Sequence, residues 1–165
     1  MSIWGDADAD EIPDDPFRIE PNWYPAIAIE CFEKDENGTS QLTFKWKIKA
    51  SGSRFDGLPV PDKNNFYKKP NNELTGEEIQ RNSFLKMKLR QGFDLGPDEI
   101  KNFTPKMALG KEAMIEVTNN PDKSNPSIIY NNVRGVLSRS NYEERFGAST
   151  TDDMPMDGGS MLDEM

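Results

Sequence analysis

The chain has 165 residues, 35% of them hydrophobic, with 20 Lys and Arg against 29 Asp and Glu and a net charge of −9. It has no histidine and one cysteine, which excludes an intramolecular disulfide, zinc sites built from His and Cys, and nucleophilic arrangements that rely on a histidine base. No apolar run reaches membrane-spanning length and no signal-peptide core is visible, so the chain is read as a cytoplasmic protein without membrane contact.

The first segment, residues 1–16, carries Asp6, Asp8, Asp10, Glu11, Asp14 and Asp15 and no base. Few branched apolar residues accompany these acids, so an acidic, disordered N-terminal arm is expected. Tyr24 to Lys34 reads as a strand, with Ile27, Ile29 and Cys31 on one face and Ala26, Ala28, Glu30 and Phe32 on the other. Cys31 sits among apolar residues and reads as a small core residue. Asn37-Gly38 is a turn signal, and the stretch LTFKWKIKA (42–50) then alternates Leu42, Phe44, Trp46 and Ile48 with Thr43, Lys45, Lys47 and Lys49. The pattern predicts a long hairpin whose second strand buries four large side chains and turns three lysines outward.

Residues 51–76 are rich in Gly, Pro and Asn and read as a long irregular connection with room for a short third strand. Arg54-Phe55 and the run Phe66-Tyr67-Lys68-Lys69 lie in it. Thr75 and Glu78 form a capping box. The helix that follows is expected from about Gly76 to Gln91, with Ile79, Leu85, Leu89 and Phe84 inward and Gly92 just past its end. A short helical turn is expected at 96–100, then strands at 113–118 and 127–137, the latter bent near Asn131-Asn132 or Gly135. Hairpin, third strand, helix and two further strands is the order of a five-stranded OB-like barrel with one helix between strands 3 and 4. An SH3-like barrel and an α+β sandwich are the alternatives.

Residues 147–165 carry Asp152, Asp153, Asp157, Asp163 and Glu164, again without a base. The two ends thus hold 11 of the 29 acids, leaving 18 against all 20 bases, so the domain over 17–146 is mildly cationic at +2. The acidic C-terminal segment is expected to be disordered. It mixes its acids with Met154, Pro155, Met156 and Leu162, a composition suited to a basic-rimmed apolar pocket on a partner protein. As a tethered polyanion it is also expected to compete with DNA for the cationic surface.

Unpaired nucleic acid is held by cations that track phosphates and rings that stack on bases. The candidate binding residues are Lys45, Lys47, Lys49, Arg54, Lys68, Lys69 and Arg134 for phosphate, with Phe55, Phe66 and Tyr67 for stacking. Trp46 is excluded by its inward parity, and Trp23 and Tyr130 are read as core or rim. No EF-hand loop or phosphate-binding glycine loop is present, and neither a catalytic group, a metal nor a cofactor is assigned. A protein-binding regulatory module, or an acidic DNA mimic that inhibits a DNA-binding enzyme, is the competing reading.

The stretches SFLKMKLRQGFDL (83–95) and ALGKEAMIEVTNNPDKSNPSIIYNNVRGVL (108–137) resemble bacteriophage-encoded single-stranded DNA-binding proteins of the OB-fold kind. They match that group's helix, its Leu-Gly-Lys entry into strand four, and its closing strand of Tyr-x-Asn-Val type. The segment with DDMPM and LDEM is similar in character to the partner-binding tips of replication single-strand binders, with Met156 where the bacterial tip has Phe. The resemblance implies a role in phage DNA replication, recombination or repair in the host cytoplasm, with replication or recombination proteins as partners. Self-association into a homo-oligomer is left open by the sequence.

Overall fold

The computed structural model describes residues 2–11 and 18–147. Its elements are β1 (Asn22–Glu36), β2 (Thr39–Ile48), β3 (Pro59–Phe66), α1 (Gly76–Phe93), α2 (Pro97–Lys101), β4 (Glu112–Pro121), β5 (Ile129–Leu137) and α3 (Arg139–Phe146). The five strands form one sheet in the order β3-β2-β1-β4-β5, with every neighbouring pair antiparallel. The architecture is mainly β, and the long helix lies between the third and fourth strands, as the OB-like layout requires. The sheet does not close. β3 and β5 come alongside each other across a seam without a ladder between them. Pro59 and Pro61 have no N–H, so β3 lacks two of the donors that a ladder would use. Residues 2–11 lie exposed and form turns, ending in a 3-10 turn at Ala9–Glu11. Asp14, Asp15 and the acids of 152–164 lie outside the described residues.

The β1–β2 hairpin turns at Asn37 (φ 54°) and Gly38 (φ 82°), the paired left-handed residues of a type I′ turn. Leu42, Phe44, Trp46 and Ile48 are all buried, as the alternation predicts. Each contributes roughly 1.5–3 kcal/mol by leaving water. The reading of β1 needs a correction. Ala26 and Ala28 are buried, whereas Ile27 is half-buried and Ile29 is exposed. The register slips between Ala28 and Glu30, so Ile29 is an unpaired bulge residue and the alternation changes phase there. Cys31 then packs against the core opposite Phe44. Burial and the nearby Asp62 carboxylate push its thiol up to about 12, so at pH 8 it is expected to react with a disulfide reagent far more slowly than a free cysteine. A full-rate reaction in a thiol assay would contradict this packing.

The capping box of α1 is formed as predicted: Thr75 N–H donates to Glu78 Oε1 at 2.9 Å, and Glu78 N–H to Thr75 Oγ1 at 3.2 Å. Leu85, Leu89 and Phe93 face the core, while Ile79 is half-buried and Phe84, expected inward, is 56% exposed. Gly92 is not the residue beyond the helix. It lies within α1, and Asp94 (φ 55°) takes the left-handed capping position. The glycine serves packing instead, since a Cβ there would fall 2.5 Å from Val136 Cγ1 and 3.2 Å from the Val136 carbonyl oxygen. Gly92→Ala is therefore expected to lose about 1–2 kcal/mol by pushing α1 off β5, even though alanine favours helix. A urea titration checks this, and a stabilised variant would show that α1 can shift freely.

α3 has no counterpart among the sequence expectations. Ser138 caps it, its Oγ accepting from Asn141 N–H at 3.2 Å. The helix lays Tyr142 and Phe146 on Trp23, with ring centroids 5.5 Å from Trp23 in both cases, over Met114 and Leu137. This second, smaller core covers the outer face of β1, β4 and β5.

Candidate nucleic-acid interface

The ladders set the outer face of β1, β2 and β3 row by row. Ile27, Lys47 and Pro59 form one row, Glu30, Lys45 and Pro61 the next, Phe32, Thr43 and Lys63 the third, and Lys34, Gln41 and Asn65 the fourth. A strand rises about 3.4 Å per residue, so Lys45, Lys47 and Lys49 follow one another at about 7 Å. Lys47 and Lys49 are exposed and form no ion pair among the described residues. Lys45 lies 3.2 Å from Glu30, a pair whose side chains are both about half-exposed. Such a pair is worth roughly 0–1 kcal/mol, so a phosphate can replace the carboxylate at little cost.

Two groups on this face escaped the sequence reading. Phe32, 48% exposed, stands beside Thr43 in the row next to Lys45, and Lys63 adds a cation on the third strand. Both were hidden because cross-strand register cannot be read from one strand at a time. Pro61, Asp62 and Lys63 then face Tyr130, Asn131 and Asn132 across the seam, which holds a cleft of 270 Å3. Tyr130 is 51% exposed, and its hydroxyl donates to Asp122 Oδ1 at 3.0 Å. Asp122 also accepts from the backbone N–H groups of Ser124 and Asn125 at 2.9 Å, which shapes the β4–β5 turn. These bonds hold the Asp122 carboxyl below the usual range, the Asn125 N–H contributing most, and the carboxylate raises the Tyr130 phenol.

The remaining predicted residues are dispersed. Arg54 and Phe55 lie in the β2–β3 connection, with the Arg54 guanidinium 4.9 Å over the Phe55 ring and ion-paired to Glu20. Phe55 packs edge-on against Tyr24 at 5.9 Å, and both Phe55 and Phe66 are partly buried against the core. Tyr67 is half-buried, its N–H donating to Asn82 Oδ1 at 2.8 Å. Lys68 is ion-paired to Glu33 and lies 3.5 Å from Asp35, and these carboxylates, Glu33 foremost, raise its pKa. Lys69 is exposed. The three rings named for stacking are thus turned largely into the structure, and Phe32 and Tyr130 are the more exposed ones. Arg134 sits apart from the lysines. It is the unpaired residue of a second bulge, opposite the step from Glu116 to Val117, and lines a groove between α1 and α3. Asp152, Asp153, Met154, Pro155, Met156, Leu162, Asp163 and Glu164, named as the partner-binding segment, lie outside the described residues.

Beneath the lysine face, β3 carries a buried polar cluster. Asp62 accepts from Trp46 Nε1 at 3.2 Å, from Asn64 Nδ2 at 3.2 Å and from Lys88 Nζ at 2.8 Å. The Lys88 and Asp62 side chains are 10% and 2% exposed. The cluster ties β2 and β3 to α1 and so holds the strands that carry the exposed lysines. Among the described residues, no group of three His, Cys, Asp or Glu is placed to hold a metal ion, and no helix is long and apolar enough to cross a membrane. No protein-family model matches the chain, and a search of curated proteins found no match.

Proposed function

We propose that the chain is a non-catalytic single-stranded DNA-binding protein acting in replication, recombination or repair, and that its acidic C-terminal segment meets partner proteins. The observation that carries this reading is the row of Lys45 and Lys47 on the outer face of β2, with Phe32 exposed beside it and Lys63 on the next strand. The chemistry suits an unpaired strand. Ammonium groups spaced along one strand take successive phosphates, and an exposed ring on either side of the row, Phe32 or Tyr130, takes a base by stacking at about 1–3 kcal/mol. The lysines and the exposed ring lie on a sheet face and not on a helix, and a ring can stack only on a base that is unpaired, so an unpaired strand is the expected ligand and duplex DNA the comparison.

The test is a fluorescence titration of the full chain with labelled oligo-dT, repeated on duplex DNA and RNA. If Lys45, Lys47, Lys49 and Lys63 neutralise four phosphates, a fourfold rise in salt weakens binding about 50-fold. Absence of oligo-dT binding at low salt would reject the proposal. Recovery of the chain bound to a DNA-processing enzyme, with no affinity for oligonucleotides, would favour the regulatory-module reading instead.

A further inference from the structure

The cleft between β3 and β5 does not end at Lys63. The next residue on each strand, Asn64 on β3 and Arg134 on β5, lines the groove between α1 and α3. Cleft and groove therefore adjoin, and one furrow runs from the exposed Tyr130 ring to α3. The groove has a volume of 590 Å3 and is lined by Phe84 and Met87 from α1 and Phe146 from α3. Phe84 is 56% exposed on a helix whose Leu85 and Leu89 already supply its core face, so burial does not account for a ring at this position. Lys63 is exposed and forms no ion pair among the described residues. Arg134 is 75% exposed and lies 3.9 Å from Glu116, the one carboxylate lining the groove. The Arg145 guanidinium lies 5.2 Å over the Phe146 ring, with no described carboxylate in ion-pair range. Lys88 also borders the groove but is already held by Asp62.

We infer, resting on the DNA-binding reading above, that the unpaired strand runs on from the lysine face into this furrow, where Arg134 and Arg145 take phosphates and Phe84 stacks on a base. Two observations select that occupant. The first is continuity: Lys63 stands on the lysine face and also lines the cleft, so the last cation of one is the first of the other. Four residues of β5 separate Tyr130 from Arg134, about 13 Å of strand, and the whole of that distance borders the furrow. The second is charge: Lys63, Arg134 and Arg145 follow one another along the furrow, Glu116 is the one acid opposing them, and Asp62 is neutralised by Lys88. A planar guanidinium grips a phosphate through two N–H groups, and a ring accepts any unpaired base. Arg134, which the fold sets apart from the lysines, thus rejoins them through the seam. The binding site then holds six cations, Lys45, Lys47, Lys49, Lys63, Arg134 and Arg145, and not the four of the sheet face.

The test uses the full chain and (dT)16, the upper end of the roughly 4–16 nucleotides that one domain of this kind covers. With six phosphates neutralised, a fourfold rise in salt should weaken binding about 300-fold, against about 50-fold for the sheet face by itself. Arg134→Ala with Arg145→Ala should return the salt effect to about 50-fold and lower the affinity at low salt about 100-fold. Phe84→Ala should lower it about tenfold. On the parent chain, NMR should show the amides of Met87, Gly135 and Arg145 shifting on addition of (dT)16 together with those of Lys45 and Lys47, a map that does not depend on how any variant folds. Shifts confined to Lys45 and Lys47, or an arginine variant with the parent's affinity and salt dependence, would overturn the inference while the DNA-binding reading stands, and would leave the groove to a protein partner. Failure of the parent to bind (dT)16 at low salt would reject both.

Discussion

Asp62→Ala is expected to lower the stability of the fold by about 3–5 kcal/mol, the usual cost of leaving one partner of a buried ion pair alone. The Asp62 side chain is 2% exposed, and its carboxylate accepts from three donors on two strands and a helix. Without it, Lys88 keeps only Asn64 Oδ1, at 2.7 Å, and the Trp46 indole N–H loses its acceptor inside the core. Trp46 is fully buried and stacks on Phe93 of α1 with centroids 5.7 Å apart and planes 9° apart, so the loss reaches the packing of helix on sheet. The companion variant is Asp62→Ala with Lys88→Met, which removes both charges and should recover much of the loss, because a matched apolar pair needs no desolvated partner. Urea denaturation of the two single variants and the double closes the cycle. A single variant within about 1 kcal/mol of the parent would mean that Lys88 reaches water when its partner is removed.

Lys45→Glu combined with Lys47→Glu is expected to weaken oligo-dT binding about 100-fold at low salt. Each lost charge-assisted contact to phosphate is worth roughly 1.5 kcal/mol, and about 1.4 kcal/mol is a factor of ten. The salt dependence should flatten as well, the slope falling by about 0.7 for each phosphate released. Stability should barely move. Lys47 is exposed, and the Lys45 pair with Glu30 is half-exposed and worth less than about 1 kcal/mol. Unchanged affinity would mark the face as plain solvated surface, which is the ordinary use of lysine on a strand. Loss of affinity together with a collapse in melting temperature would point to damage to the fold.

Much of the architecture was legible in one sequence, because its signals act over a few residues. The period-2 alternation at 42–48, the Asn37-Gly38 turn and the Thr75/Glu78 capping box each satisfy local backbone geometry, and all three are present in the fold. Failures of the reading came where a distant element overrode a local pattern. Strict alternation grouped Ile27, Ile29 and Cys31 on one face, and a bulge set by pairing with β2 breaks that face at Ile29. Gly92 resembled a helix stop, yet the close approach of Val136 is what requires glycine there. The capping residue Ser138 and the spacing of Tyr142 and Phe146 signalled α3, but their meaning depended on Trp23, more than 100 residues earlier.

The candidate site divides along the same line. From the sequence alone came the outward direction of Lys45, Lys47 and Lys49, since a strand's parity is a property of the strand itself. It also located the acids, 11 of which lie in two segments without a base. Which groups stand beside those lysines was decided by tertiary structure: register brought Phe32 and Lys63 to them, packing turned Phe55 and Phe66 inward, and the second bulge sent Arg134 to a different groove. The physical reason is that direction along a strand follows from the period of the backbone, whereas neighbourhood follows from hydrogen-bond register and from the volume each side chain must fill.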